Sequence, residues 1–288
     1  MQIYFKIKNK IRSFFNKNPS THINRKGSYP FISGDTFLSI SDEAIISNYS
    51  FPICLKSLNK KEIIFVENDL LSIDWVFNYC LNFKTVILHN GDIPPEEKFI
   101  KTLKKRKINI FATNIKKEKD YINPIPIGIE NAHYEKNGDL DYYNIINIKN
   151  LKKIKSEICF ASFTVNNANR IRYQKVLKVR DISNENKMST KKYRNKLENS
   201  YFVISPPGNG IDCHRTWEAF YHKTIPVIEK EFYLFEHLNL PVFLVDNIED
   251  FFKIEDSKKK EIYYSIIEGY REEIYMDWWI RLIQNKTI

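Results

Sequence analysis

The sequence predicts an α/β protein with two Rossmann-like domains whose parallel sheets face a central cleft. Apolar runs of strand length alternate with amphipathic helical patterns, and the alternation occurs as two series separated by a charged, Asn-rich stretch at 133–157. A length of 288 residues is enough for two such domains. We therefore expect a basic N-terminal segment at 1–29, an N-terminal domain at 30–150 and a C-terminal domain at 151–288.

The first series follows a polar, turn-rich stretch. A helix is expected to begin at 94–97 (PPEE), since proline and acidic residues suit a first helical turn. The predicted elements are a strand at 62–67, a helix at 70–83, a strand at 84–89, the helix from 94, a strand at 108–113 and a short extended piece at 125–129.

The second series contains the richest motif of the chain. Its final helical pattern ends in Trp278 and Trp279, which we interpret as packing back on the protein. The predicted elements are strands at 158–163, 201–205, 225–228 and 242–245, and helices at 167–179, 191–199, 213–223 and 261–284.

The composition limits the classes of partner and compartment. A formal net charge of +10 favours anionic partners, although a chain this rich in Lys, Asn and Ile is also explained by composition bias. The four cysteines form no CxxC pair, which argues against a structural zinc and for a reducing compartment. Neither a signal sequence nor an 18-residue apolar run occurs, so a cytoplasmic location is expected.

Residues 1–17 qualify this expectation. Ile3, Ile7, Ile11 and Phe14 recur at helical spacing, and basic residues lie off that stripe. Such a helix would suit an anionic membrane surface, at the inner face of the cytoplasmic membrane. The alternative is a basic helix or strand that docks on the domain.

The segment 201–228 (YFVISPPGNGIDCHRTWEAFYHKTIPVI) carries the chemistry. A strand leads through a glycine loop into a helix, and ligands of open α/β sheets bind at the carboxyl ends of strands. Free N–H groups at the start of the helix suit a phosphate, and glycines let the backbone approach it. Asp212 is a candidate N-cap. The predicted donor-binding residues of this loop are Pro207, Gly208, Asn209, Gly210 and Asp212.

The helix after the loop separates into two faces at about 100° per residue. Arg215 suits phosphate charge, and Glu218 suits a pair of ribose hydroxyls; the alternative is an exposed ion pair three residues apart. One face, expected on the sheet, holds Cys213, Trp217, Phe220 and Tyr221, and the other, expected in the cleft, holds His214, Arg215, Glu218 and His222.

Residues 205–220 (SPPGNGIDCHRTWEAF), followed by 224–228 (TIPVI), resemble the donor-binding signature of exostosin-like glycosyltransferases, which bacterial capsule and lipopolysaccharide enzymes share. The resemblance implies the GT-B fold, a nucleotide-sugar donor contacted by Arg215 and Glu218, no cofactor and no essential metal. Weaker similarity covers 31–35, 89–92 and 126–131.

The mechanism is predicted less directly. Many retaining GT-B enzymes carry two Glu eight positions apart, but Gly210 and Pro226 stand eight before and eight after Glu218, so the sequence favours inversion. Inversion needs a general base. The candidates are Asp92, at a predicted strand end, and Asp35 and Glu130, all in loops of the first domain; each is alternatively a turn residue.

Further candidates lie on both sides of the expected cleft. Arg170 and Arg172, early in a helix, would neutralise the departing pyrophosphate, or else belong to a solvated helix face. His89, Asn90 and Asn131 are expected on the acceptor side, where His89 binds phosphate, acts as base or is simply a buried structural histidine.

The sequence thus predicts a glycosyltransferase that moves a sugar from a nucleotide-diphosphate sugar to a hydroxyl of a capsule or lipopolysaccharide glycan or glycolipid. The alternatives are a catalytically silent basic α/β module that binds nucleic acid or an anionic glycan, and an enzyme of the same fold with another phosphorylated donor. No nucleic-acid-binding signature occurs, so no nucleic-acid partner is expected. The DxD at 139–141 follows Lys-Asn-Gly instead of an apolar strand and is interpreted as a helix start.

Overall fold

The computed structural model describes most of the chain from residue 25 onward. The amphipathic stretch 1–17, for which membrane binding is predicted, lies outside the described residues. The described ranges are 25, 27–48, 51–56, 62–116, 121–132, 134, 138–143, 155–230, 233–268 and 271–287.

The first sheet is mixed, with strand order β2-β1-β3-β4-β5-β6. β2 pairs antiparallel with β1, and the other pairs are parallel. The predicted strands at 62–67, 84–89 and 108–113 are confirmed, whereas β1 and β2 were not predicted. The strands are β1 Glu43–Asn48, β2 Phe51–Lys56, β3 Ile63–Glu67, β4 Thr85–His89, β5 Asn109–Ala112 and β6 Asn123–Pro124.

The segment 125–129, predicted as a short extended piece, follows β6 outside any strand, and its Ile125 N–H donates to the Ala112 carbonyl at 3.0 Å. The helix predicted at 70–83 is interrupted where Ile73 adopts an extended conformation. The helical segments are α1 Gly34–Ser39, a 3-10 turn Asn68–Ser72, α2 Asp74–Cys80, α3 Glu97–Lys105 and a 3-10 turn Leu140–Tyr143.

The second sheet is entirely parallel, with strand order β10-β9-β8-β7. Helices cover both of its faces: Phe202 packs with Phe251 and Tyr263, whereas Val203 packs with Leu197 and Ala219. The elements are β7 Glu157–Ala161, α4 Ala168–Val179, α5 Thr190–Asn199, β8 Ser200–Ile204, α6 His214–Tyr221, β9 Ile225–Glu229, α7 Tyr233–His237, β10 Phe243–Val245, α8 Ile248–Lys253 and α9 Asp256–Ile267.

The chain then returns to the first sheet. The single helical stretch predicted at 261–284 is divided into α9, a 3-10 turn at Glu272–Ile274 and α10 at Met276–Thr287. α10 lies on the first sheet, where the Thr287 and Thr85 hydroxyls are 2.9 Å apart. Trp279 of α10 is buried in the apolar cluster described next.

An apolar cluster joins the two sheets. Trp217, Phe220 and Tyr221 of α6 pack here with Phe31 and Trp279, in a cluster that also contains Ile228 of the second sheet. α6 also meets its own sheet through the small Ala219. The α/β class with two Rossmann-like, largely parallel sheets is confirmed, and α6 lies between them.

Candidate functional site

Asp212 links the two sheets. Its carboxylate accepts hydrogen bonds from the Ile127 N–H at 2.9 Å, the Cys213 N–H at 2.8 Å and the Trp217 indole N–H at 3.0 Å. The N-cap of α6 is Cys213, so the prediction of Asp212 as N-cap was wrong. Complete burial raises the pKa of Asp212 to about 6. This residue fastens a first-domain segment to the start of α6, a different task from the predicted contact with a donor.

The glycine loop makes contacts within the protein. The Pro207 carbonyl accepts a hydrogen bond from Arg170 Nε at 2.9 Å, and the Gly208 carbonyl accepts one from Asn167 Nδ2 at 2.8 Å. A Cβ on Gly210 would lie 2.7 Å from Asn114 Oδ1, so a side chain there would displace the Asn114 amide, and glycine allows this close approach between domains. The loop residues line neither of the cavities described below.

Arg170 and Arg172, predicted to face a pyrophosphate, have protein partners. Arg170 Nη1 donates to the Thr164 carbonyl at 3.0 Å, and burial lowers the pKa of Arg170. Arg172 forms ion pairs with Glu229 and Glu249. Arg170 therefore supports the glycine loop, and Arg172 holds β9 and α8.

The first cavity lies at the carboxyl end of β7 and beside the start of α6, and its volume is about 290 Å³. The second sheet supplies most of the wall, and Glu130 comes from the first domain. It is lined by Glu130, Ser162, Asn186, Met188, Thr190, Tyr193, Arg194, His214, Arg215 and Glu218.

Arg215 presents its guanidinium to the first cavity. Nε donates to the Ser162 carbonyl at 2.8 Å, which fixes the side chain at the end of β7. Nη1 is buried and has no hydrogen-bond partner among the described residues. A cation held in this way is prepared for an anionic oxygen. Arg215 shares the cavity wall with His214 and Glu218 of the same helix.

Glu218 also lines the first cavity, but protein groups engage it. Its Oε1 accepts from Arg194 Nη2 at 3.3 Å and from the Tyr143 hydroxyl at 3.3 Å. Only 8% of the residue is exposed. Glu218 therefore sets the position of Arg194. A ribose hydroxyl bound by Glu218, as predicted, would share the carboxylate with Arg194 and Tyr143.

Arg194 was not predicted, because the lysine-rich sequence of α5 is typical of a solvated helix. The residue is 3% exposed, and its guanidinium lies 4.2 Å from the centre of the Tyr143 ring. The three-residue spacing of Arg194 and Leu197, both buried, is the signal that would have found it.

The second cavity, also about 290 Å³, lies on the first-domain side. Asn90, Asn131, Asp92 and Glu130 all line it, and it therefore contains four of the predicted acceptor-side or catalytic residues. Its lining residues are Arg25, Ser47, Glu67, Asn90, Gly91, Asp92, Ile127, Glu130, Asn131, Tyr134 and His214.

The amides of this cavity are held in place. Asn131 Nδ2 donates to Asn90 Oδ1 at 3.2 Å, and Asn131 Oδ1 accepts from the Asp35 N–H at 2.9 Å. Asp92 accepts a hydrogen bond from Asn209 Nδ2 at 3.1 Å, across the two domains. These contacts leave a polar surface suited to hydroxyl groups.

Asp35 and His89 line neither cavity. Asp35 is fully buried, 3.7 Å from Arg25 Nη1. His89 donates from Nε2 to the Pro126 carbonyl at 3.0 Å and accepts at Nδ1 from the Asn90 N–H at 2.7 Å. Burial lowers the pKa of His89 to about 4. Glu130 and Asp92 thus line a cavity, whereas Asp35 and His89 are buried among protein contacts.

Two absences hold for the described residues. They contain no group of three or more His, Cys, Asp and Glu side chains placed to share a metal ion. Within the same part of the chain, none of the helices combines the length and apolar character that crossing a membrane requires.

Comparison with known proteins gives one family match. A family model described as the RXYLT1 C-terminal domain matches residues 158–262, which include α6, Arg194 and Arg215. The match supports a glycosyltransferase family, and not the bacterial capsule or lipopolysaccharide type specifically. A search of curated proteins gave no match.

A structural likeness covers more of the chain at low similarity. The N-terminal domain of trehalose-6-phosphate phosphatase from Candida albicans aligns with a TM-score of 0.41 and 9% identity, over 81% of this chain and 73% of that one. No conclusion about activity follows from a likeness of this size.

Proposed function

We propose that the first cavity binds a nucleoside diphosphate sugar and that the chain transfers the sugar to a hydroxyl group held in the second cavity. The observation that carries this proposal is Arg215, a lining residue of the first cavity whose buried Nη1 has no hydrogen-bond partner among the described residues. The family match over residues 158–262 supports the same class of reaction.

Charge in the first cavity suits a departing diphosphate. Transfer breaks the bond between the anomeric carbon and the phosphate oxygen, and negative charge develops on that oxygen. Arg215 and the free N–H groups at the start of α6 supply positive potential where this charge forms. Arg194 adds a second guanidinium, partly balanced by Glu218.

The second cavity suits a carbohydrate acceptor. Asn90 and Asn131 offer amide groups, and Asp92 and Glu130 offer carboxylates. We propose a capsule or lipopolysaccharide glycan or glycolipid as the acceptor, and inversion as the stereochemical course, on the resemblance of the motif and the missing second Glu. A cytoplasmic location and contact of residues 1–17 with an anionic membrane belong to the same proposal.

Thermal unfolding with a panel of nucleoside diphosphates and their sugars tests the donor site. A ligand at a hundredfold excess over its Kd stabilises the folded state by roughly 2.7 kcal/mol, or about 5–10 °C for a chain of this size. The panel contains UDP, GDP, CDP, UDP-glucose, UDP-xylose, UDP-N-acetylglucosamine and GDP-mannose.

The Arg215→Ala variant locates the site. Loss of charge-assisted hydrogen bonds should weaken nucleotide binding about 10- to 150-fold. Arg281→Ala is the matched control, because Arg281 is exposed and pairs with Glu272 far from the cavity. Absence of a shift with every nucleotide, together with salt-dependent binding of random oligonucleotides, would instead support the basic binding module.

A further inference from the structure

The two cavities share two lining residues, Glu130 and His214. Glu130 follows the 125–129 segment of the first domain, and His214 is the first residue of α6. If the donor occupies one cavity and the acceptor the other, the reacting atoms meet beside these side chains. His214 was expected to face the cleft, but no role was assigned to it from the sequence.

The tautomer of His214 is fixed by its surroundings. Nδ1 lies 2.8 Å from the Gly128 carbonyl oxygen, which can only accept a hydrogen bond. Nδ1 therefore carries the hydrogen, and neutral His214 has a lone pair on Nε2, the nitrogen that faces Glu130.

The Gly128 carbonyl is itself held rigidly. Gly128 has a φ of +71°, and a Cβ there would lie 2.1 Å from the Ile32 carbonyl oxygen. The next residue, Ile129, donates its N–H to that same oxygen at 2.8 Å. Packing of 128–129 against Ile32 thus sets the direction in which the imidazole points.

A hydroxyl group can bridge the two shared residues from beside them. His214 Nε2 is 3.7 Å from Glu130 Oε1, too far for a direct hydrogen bond. A hydroxyl oxygen placed beside this gap can approach both atoms at hydrogen-bond distance. Glu130 also accepts from the Asn131 N–H at 3.1 Å, which limits its movement.

We propose that His214 Nε2 is the general base of the transfer and that Glu130 stabilises the imidazolium that forms. This inference rests on the proposed function. The hydroxyl proton moves to Nε2, the hydroxyl oxygen forms a bond to the anomeric carbon, and the anomeric carbon–phosphate oxygen bond breaks. Its electron pair leaves with the nucleoside diphosphate, so atoms and charge balance.

An imidazole suits this task better than the carboxylates that the sequence offered, because its ordinary basicity lies near neutral pH. Glu130 is the carboxylate 3.7 Å from Nε2, and Arg215 follows His214 at the positive end of α6. Asp212 and His89 are the other titratable groups that interact with His214 electrostatically.

The test measures release of nucleoside diphosphate from the UDP-sugar and GDP-sugar panel with water as the acceptor, since water must also lose a proton to the base. His214→Asn retains an amide that can donate to the Gly128 carbonyl but has no base at the Nε2 position. We expect its kcat to fall about 100-fold or more, with the loss of the acidic limb of the pH–rate profile. UDP and GDP should bind it within about threefold of the wild-type affinity.

Glu130→Gln provides a second readout. Without the carboxylate, the imidazolium has no neighbouring negative charge from Glu130, so the acidic limb of kcat/KM should move to lower pH. The matched controls are His237→Asn and Glu236→Gln, exposed residues of α7 that line neither cavity, and both should behave as wild type.

The outcomes separate the two proposals. If wild-type protein binds and cleaves a sugar nucleotide while His214→Asn does so at a similar rate and with an unchanged pH profile, the assignment of the base is overturned and the proposed function stands. If wild-type protein neither binds nor cleaves any member of the panel, the proposed function fails, and the role of His214 fails with it.

Discussion

Arg194 and Glu218 form a buried ion pair beside the first cavity, with Arg194 Nη2 3.3 Å from Glu218 Oε1. The pair joins α5 to α6, and the Tyr143 hydroxyl donates to the same carboxylate oxygen. The carboxylate raises the pKa of Arg194 against the opposing effect of its burial. The acidic residue of the helix motif therefore positions a second cation on the cavity wall.

Removal of either partner should be costly, because it leaves an uncompensated buried charge. We expect Glu218→Leu and Arg194→Met each to lower the free energy of unfolding by about 3 kcal/mol, whereas the double variant should lose clearly less than the sum. Urea unfolding of the four proteins gives the coupling energy. Strict additivity would contradict the buried pair.

Gly210 and Asn114 define how closely the glycine loop approaches the first domain. Gly210→Ala should destabilise the protein by about 1–3 kcal/mol, because its methyl group would overlap Asn114 Oδ1. Gly208→Ala, in the same loop, should cost less, since a Cβ there would lie 3.0 Å from its nearest neighbour, the end of the Arg170 side chain, instead of 2.7 Å. Thermal unfolding ranks the two variants.

A second substitution relieves the overlap. Asn114 has a φ of +62°, so glycine accepts its backbone conformation. Asn114→Gly should lose the hydrogen bond from the Asp212 N–H and so be less stable than wild type. The Gly210→Ala/Asn114→Gly double variant should nevertheless be more stable than the sum of the two single losses predicts. A double variant at or below that sum would show that the steric argument is wrong.

The sequence predicted the long, regular elements and the place of Arg215. It did not predict which residues contact one another across the fold. The buried strand cores of β3 and β4, and the loop-to-helix motif with Arg215 at its start, are local patterns. Arg170, Asp212 and Gly210 were assigned to a phosphate on the same local grounds. The contacts of Asp212 with Ile127 and of Gly210 with Asn114 join distant parts of the chain, and no local periodicity of the sequence encodes such contacts.

Buried histidines should make the fold sensitive to mild acid. Burial lowers the pKa of His89 to about 4 and that of His222 to about 3, whereas an unfolded histidine titrates near 6.5. The unfolded state thus binds more protons between these values, so the stability that these two histidines contribute is present above pH 6.5 and is lost as the pH falls below it. Each histidine should lower the free energy of unfolding by about 1.4 kcal/mol when the pH changes from 7.5 to 5.5.

Urea unfolding at these two pH values checks this expectation. His89→Gln should be less stable than wild type at pH 7.5, because it disturbs the contacts with Pro126 and Asn90. The free energy of unfolding of this variant should then fall less between pH 7.5 and 5.5 than that of wild type, because one of the two buried histidines is missing. Equal losses in the two proteins would show that His89 does not titrate as its burial implies.

Asp212 should matter for the joining of the domains and not for the donor. Its carboxylate accepts hydrogen bonds from the Ile127, Cys213 and Trp217 N–H groups. Asp212→Asn replaces one acceptor oxygen with an NH₂ that faces these donors, so we expect a loss of about 1–3 kcal/mol in urea unfolding. At temperatures where the variant is folded, titration calorimetry should show UDP or GDP binding within about threefold of wild type, in contrast to Arg215→Ala. Wild-type stability combined with lost nucleotide binding would restore Asp212 to the donor site, where the sequence had placed it.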